Sequence, residues 1–407
     1  MRRSLSARQA AVAIAGAAAL GLTLLPLSVP AGAAAAPASS GVTWTIQPSP
    51  NQPGEPASAL NAVSCVKGGQ CTAVGMYSTG KGIPEHQFTL ALERTGTRWV
   101  LKRTPSIKGV GYSVFNGVSC TSASSCIAVG YTVGSARRSP RVRPLAERWN
   151  GTSWSVQATP ALAYATLAGV SCPAPAFCLA VGGFLKALSA NAQPLAEVWN
   201  GKSWSQLTAP NPHAENGSVF TSVDCVAVSK CEVTGDFDYA DTAQSVFAYG
   251  LSGTSWTAQK QVNPVGQQIN SDSSVSCTSA SACTSVGSWT NTGALSLAER
   301  WNGASWSRQA LPHPPNSVTD SLAGVSCTAA AACTAVGESA NNLNDFPGAT
   351  EAMMWNGASW QLTATPNRSG TSNVLSGVSC TTAVSCVAVG SSFSSKAGVT
   401  LVEVSSG

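Results

Sequence analysis

Fourteen cysteines fall into seven pairs, each with five residues between the partners. They are Cys65 and Cys71, Cys120 and Cys126, Cys172 and Cys178, Cys225 and Cys231, Cys277 and Cys283, Cys327 and Cys333, Cys380 and Cys386. Successive first cysteines lie 55, 52, 53, 52, 50 and 53 residues apart. A fixed period near fifty is the mark of a propeller or a solenoid, in which one supersecondary unit is stacked on copies of itself.

Within one period, Leu167 to about Pro210, four short β-type runs alternate apolar and polar residues: Leu167 to Cys172, Cys178 to Gly182, Leu195 to Trp199 and Ser203 to Leu207. An Asn-Gly pair joins the third and fourth runs and recurs at Asn150-Gly151, Asn200-Gly201, Asn302-Gly303 and Asn356-Gly357. It signals a two-residue hairpin turn, which needs positive φ. Four strands per fifty residues, repeated radially, make a propeller blade.

The last repeat has three strands, Ser376 to Cys380, Cys386 to Gly390 and Val399 to Val404, before the sequence ends. A matching fourth strand lies at the other end, Val42 to Gln47. Its Trp44 corresponds to Trp99, Trp154, Trp204, Trp256, Trp306 and Trp360. The reading is an all-β, seven-bladed β-propeller of four-stranded blades, closed by an N-terminal strand that completes the C-terminal blade. An open solenoid has no reason to be cut out of phase in this way.

Ahead of this domain (37–407), residues 1–36 read as a cleaved secretory signal peptide. Arg2, Arg3 and Arg8 form its basic region, an apolar run spans Ala10 to Leu27, and small residues follow at Ala31 to Ala36. The competing reading is an uncleaved anchor. The C-terminal residues 401–407 carry neither an apolar tail nor a wall-sorting motif, so the mature protein is expected to be secreted, extracellular, monomeric and free of a stable membrane anchor. Without those three arginines the formal charge falls from +5 to +2, and only 10% of residues are charged. Such a chain has no general attraction for nucleic acid.

Export also decides the cysteine chemistry. Each pair ends one strand and starts the next, so opposite hairpin positions meet the short Cβ separation a disulfide needs. An even count in an exported chain favours seven disulfides over zinc, whose four ligands would be blades apart. Each closes a small loop and stabilises by about 2 kcal/mol in the chain-entropy account.

The cysteine loops and third-to-fourth turns are short and nearly uniform, whereas the second-to-third loops and blade links vary. Specificity resides in variable loops, so a ligand is expected on that rim. Glu93, Glu147, Glu197, Glu299 and Glu403, on the third strands of five blades, read as a repeated structural hydrogen-bonding partner rather than a glycosidase carboxylate pair. Paired tryptophans such as Trp149 and Trp154 read as packing.

Candidates on the variable rim are few. His86, His213 and His313 all fall there, with solvation, metal binding and acid–base work as competing readings. The segment DFDYAD brings Asp236, Asp238 and Asp241 close in sequence; calcium, the one cofactor entertained, competes with a solvated acidic loop lacking an EF-hand pattern. Arg137, Arg138, Arg141 and Arg143 suit anionic groups or form an exposed basic loop. Trp289 is the one tryptophan outside the repeat positions and a candidate stacking platform for a sugar ring.

The turn G-x-[ST]-W (Gly151-Thr152-Ser153-Trp154, Gly253-Thr254-Ser255-Trp256) resembles the Asp-box repeat of sialidase-like (BNR-like) propellers. That family's aspartate, two residues before the glycine, is replaced by Trp149, Trp199, Trp301 and Trp355. The chain also looks like cysteine-paired propellers exported by high-GC Gram-positive bacteria. Sialidase chemistry does not carry over: the resemblance implies three arginines from different blades, and here the loop arginines crowd into one. No G-x-S-x-G, HExxH or phosphate-cradling loop is present.

The expected function is therefore a non-catalytic binding propeller for an extracellular glycan, wall polymer or protein. The alternative is a polysaccharide hydrolase or lyase in which a histidine converges with rim acids such as Glu85 and Asp272.

Overall fold

The computed structural model describes residues 41–407 apart from 81–85, 136–140, 189, 240–242, 264–269, 291–292, 342–347 and 395–396. The described residues form 28 strands and no helix, and no helix among them is long and apolar enough to cross a membrane. Units 1 to 7 are numbered by their cysteine pairs in chain order.

Each unit is an antiparallel four-stranded meander. In unit 3 the strands are Ala165–Ala174, Phe177–Phe184, Gln193–Trp199 and Trp204–Leu207, within a few residues of the runs the alternation predicts. Units 3 to 6 are separate four-stranded sheets. Units 1, 2 and 7 join into one 12-stranded sheet through single parallel bridges, Ala57 with Gly398 and Gln87 with Tyr112. The strand Thr43–Ile46 pairs with Gly398–Ser406 in the register Thr43 to Ser406, so the N-terminal strand is the outer strand of unit 7, as the sequence phase requires.

Disulfides link all seven cysteine pairs, and no described cysteine is free. They indicate an oxidising environment. The cysteines also carry the contacts between units. The Cys120 backbone N–H donates to Ser64 Oγ at 3.0 Å, and Cys172 does the same to Ser119. Cys225 donates to Ser171, Cys277 to Asp224 Oδ2, Cys327 to Ser276 and Cys380 to Ser326. Finally Cys65 N–H donates to Ser379 Oγ at 3.0 Å, linking unit 1 to unit 7.

Hydrophobic cores lie between facing sheets. Ile127, Val129 and Ala146 of unit 2 pack with Leu167, Val170, Leu195, Trp199 and Trp204 of unit 3. Trp149 and Trp154 have centroids 5.8 Å apart, and Trp199 and Trp204 5.7 Å, so the paired tryptophans serve packing. Glycine recurs four residues after the second cysteine because a neighbouring backbone passes there. A Cβ at Gly130 would collide with Val114 O.

Two local expectations are corrected. The Asn-Gly turns are four-residue loops: Trp149 pairs with Trp154, and only Gly151, at φ 92°, is left-handed. Asn150 acts through its side chain, Oδ1 accepting from the N–H groups of Thr152 and Ser153 at 2.9 Å each, an Asx turn. Two-residue turns occur in units 1 and 4, at Gly96 and Gly253, where asparagine is absent.

The glutamates also divide. Glu147, Glu197, Glu299 and Glu403 share one register, opposite Ala128, Ala180, Ser285 and Ala388. Glu93 lies opposite Thr72, one residue out of phase, and so projects from the other face. It pairs with Lys102 at 3.0 Å. Neither carboxylate oxygen of Glu147 or Glu197 has a hydrogen-bond partner, so these two are not the hydrogen-bonding partners expected. Burial pushes both carboxyls up to about 8, which keeps them neutral in the core.

Candidate functional site

Unit 5 departs from the repeat where the others agree. Five residues before the first cysteine stand Leu60, Phe115, Leu167, Phe220, Leu322 and Leu375, each buried, and in unit 5 Asp272. Two residues after the second cysteine stand Ala73, Ala128, Ala180, Val233, Ala335 and Ala388, and in unit 5 Ser285. Asp272 and Ser285 are both buried. Gln261, from the link between units 4 and 5, donates to Asp272 Oδ2 at 2.5 Å and to Ser285 Oγ at 3.2 Å. Glu299 Oε1 accepts from the Val262 N–H at 3.0 Å.

Burial, with Glu299 close by, holds the Asp272 carboxyl well above the carboxylate range. Burial also pushes Glu299 up to about 7; hydrogen bonds from Val262 and Gln261, then the charge of Arg308, restrain it.

From Glu299 the outer strand leads to a cavity of about 380 Å³, lined by Trp289, Ser296, Arg308, Gln309, Ala310, Leu311 and His313. Trp289 lies near the end of the second strand, Ala282–Thr290, and Ser296 in the third, Ala294–Trp301. Arg308 ends the short outer strand Trp306–Arg308, and the remaining lining residues run into the link to unit 6. The Arg308 guanidinium carbon sits 4.4 Å from the Trp289 ring centroid, a cation–π arrangement. His313 Nδ1 meets Asp320 Oδ1 at 3.3 Å. Asp320, on the inner strand of unit 6, is buried, and its Oδ2 accepts from the Ser296 N–H at 2.9 Å. Ser296 Oγ is buried and has no partner. An aromatic face, a guanidinium and an imidazole anchored on a carboxylate thus converge on one concave space, which suits recognition of a polar ring.

Of the residues singled out in the sequence, the structure brings together Trp289 and His313. His86 stands in unit 1, its Nδ1 3.1 Å from Gly111 O, beside Phe88 and Tyr112. His213 stacks on Phe237 with centroids 3.5 Å apart. Arg141 and Arg143 are exposed at the start of the third strand of unit 2, and Arg137 and Arg138 lie outside the described residues. Asp236 is buried. Its Oδ1 accepts from the Asp272 N–H and its Oδ2 from Ser271 Oγ, each at 2.9 Å. Asp241 and Glu85, and the side chain of Asp238, lie outside the described residues. Among the described residues no three His, Cys, Asp or Glu side chains are grouped as a metal requires. Asp272 is no rim acid; its place in the leucine register carries it into the core.

Arg308, Ser296 and Asp320 escape notice in the sequence because each occupies an ordinary strand position. Asp272 and Ser285 leave a usable signal, since alignment on the cysteines sets each against six apolar residues.

No family model matches the sequence, and no curated protein matches it. Among solved structures the chain is similar to YCF48 bound to a D1 peptide, at a TM-score of 0.51 and 11% identity over 89% of this chain and 94% of that one. It is similar to a protein of unknown function from Dyadobacter fermentans, at 0.50 and 10% over 90% and 99%. It is also similar to an ulvan lyase of a new polysaccharide lyase family, at 0.51 and 11% over 83% and 92%. At such identities these likenesses establish the fold: an all-β chain of four-stranded sheets with the β-propeller architecture.

Proposed function

We propose that this chain is an exported, seven-bladed β-propeller, kin to the Asp-box propellers, that binds an extracellular glycan or wall polymer through the cavity of unit 5. The cysteine N–H bonds, six to serine and one to Asp224, run unit to unit and return from Cys65 to Ser379, which supports a closed ring of seven. The disulfides support export. Propellers hold both a peptide and a polysaccharide, as the YCF48 and ulvan lyase structures show, so the class of partner follows from the side chains in the cavity. The observation that carries the reading is the convergence of Trp289, Arg308 and His313 on one 380 Å³ space. Pockets of this size take a small molecule or part of a polymer, and tryptophan offers an apolar face with little rotamer entropy to lose.

A second reading, a hydrolase or lyase, draws on one feature. A histidine anchored by a buried carboxylate, as His313 is by Asp320, is a general base held in orientation.

Incubating the mature protein and its Trp289→Ala variant with insoluble wall and plant polysaccharides separates the two. Wild-type protein in the pellet, variant in the supernatant and no released sugar is the expected result. Released sugar or new unsaturated ends would establish catalysis instead. Protein that stays in every supernatant without product would leave a protein partner.

A further inference from the structure

We infer that the cavity of unit 5 is built for a sugar bearing a carboxylate, with Arg308 as the group that selects the charge; this rests on the glycan reading above.

One ion pair between permanently charged groups occurs among the described residues, Glu93 with Lys102, and Asp320 is hydrogen-bonded to His313. Arg308 is in neither, and its guanidinium donates no hydrogen bond to a described residue. The acid acting on its charge is Glu299, its register partner on the adjacent strand. Glu299 is buried, and its Oε1 is committed to the Val262 N–H. Burial keeps Glu299 partly protonated near pH 7, so it neutralises Arg308 incompletely. Arg308 therefore keeps a positive charge that no ion pair of its own takes up.

Trp289 turns that charge into a directed one. With its carbon 4.4 Å from the indole centroid, the guanidinium is held against the ring and keeps its N–H groups for a ligand. The planar fork matches a carboxylate through two parallel hydrogen bonds. His313, held at Nδ1 by Asp320, has Nε2 remaining for a ring hydroxyl. Ser296 also lines the cavity, with its Oγ buried behind the wall. Leu311 and Ala310 line the same space and suit the apolar face of a sugar ring rather than a small inorganic anion.

Titration calorimetry of the mature protein with trigalacturonate and with its carboxyl-reduced counterpart tests this directly. We expect the acid to bind at least about tenfold more tightly, the effect of a charge-assisted fork. Arg308→Gln should bring the acid down to the affinity of the neutral sugar, and Arg308→Lys should recover part of the difference. Melting curves of both variants check folding, and the exposed position of Arg308 leaves the core untouched. Equal binding of the two sugars, both lost in Trp289→Ala, would overturn the charge assignment and leave the glycan reading standing. Discrimination that persists in Arg308→Gln would also overturn it, as would a sulfated trisaccharide that outbinds trigalacturonate. Binding of neither sugar, nor of any insoluble polymer, would remove both proposals.

Discussion

Gln261 donates to Asp272 at 2.5 Å inside unit 5, at a site where the other six units bury leucine or phenylalanine. A polar group there is costly unless satisfied, and Asp272 Oδ1 and Gln261 Oε1 have no partner, so the network is only partly satisfied. Asp272→Leu alone would take from buried Gln261 one of its two acceptors and leave only Ser285, with a loss of about 1–3 kcal/mol. Asp272→Leu combined with Ser285→Ala and Gln261→Leu removes the whole network and restores the apolar pattern. We expect the single variant to melt below the wild type and the triple variant above it. Thermal unfolding of the two decides; a single variant that is already more stable would show that the network has no cooperative character.

Buried neutral glutamates set the dependence of stability on pH. The folded-state values of Glu147 and Glu197, about 8, lie above the ordinary 4.5, so the native state holds protons that the unfolded chain releases between about pH 4.5 and 8. Stability is therefore full below pH 4.5, falls as pH rises through that window and levels off above it. We expect a higher melting temperature at pH 5 than at pH 8. In Glu147→Gln/Glu197→Gln the decline should be shallower and the pH 8 value higher. A flat or rising wild-type profile would contradict the buried, neutral assignment.

Much of this fold is legible because one covalent feature, the cysteine pair, marks the same hairpin seven times. The phase of Trp44 then gives the partner of the last strand. Legibility fails where the phase reference is lost. Glu93 looks equivalent to Glu147 when strands are matched by composition, but the turn glycines Gly96 and Gly151 place it one residue out, on the opposite face. The site is half legible for a related reason. Trp289 and His313 stand out because they break the repeat, whereas Arg308 sits on an outer strand where any polar residue is unremarkable. Its meaning arises from a chain path that brings it over Trp289.

The DFDYAD segment yields a prediction about metal. Both oxygens of Asp236 already accept hydrogen bonds from unit 5, from the Asp272 N–H and Ser271 Oγ. A calcium ion at this carboxylate would have to replace them. We expect the melting temperature to be the same in EDTA and in millimolar calcium. Asp236→Ala should lower it by stranding the buried Asp272 N–H, at about 1–3 kcal/mol. A clear rise with calcium would instead establish a cation site in this loop.

The proposed ring closure draws on two contacts between sequence-distant residues. Trp44 is buried with Val336, Ala352, Leu375 and Leu401, and Cys65 N–H donates to Ser379. In a closed ring every unit has two neighbours, so loosening one junction exposes two faces and should be felt by all seven. An open array would respond only at its ends, because such stability sums over nearest neighbours. Trp44→Ala removes a large buried side chain, a loss of about 3–5 kcal/mol. In a ring this loss should match that of Trp204→Ala, deep in unit 3, and both variants should unfold in one transition. Differential scanning calorimetry separates the cases. A small early transition in Trp44→Ala, followed by a main transition at the wild-type temperature, would mean that unit 7 frays independently and the ring is open.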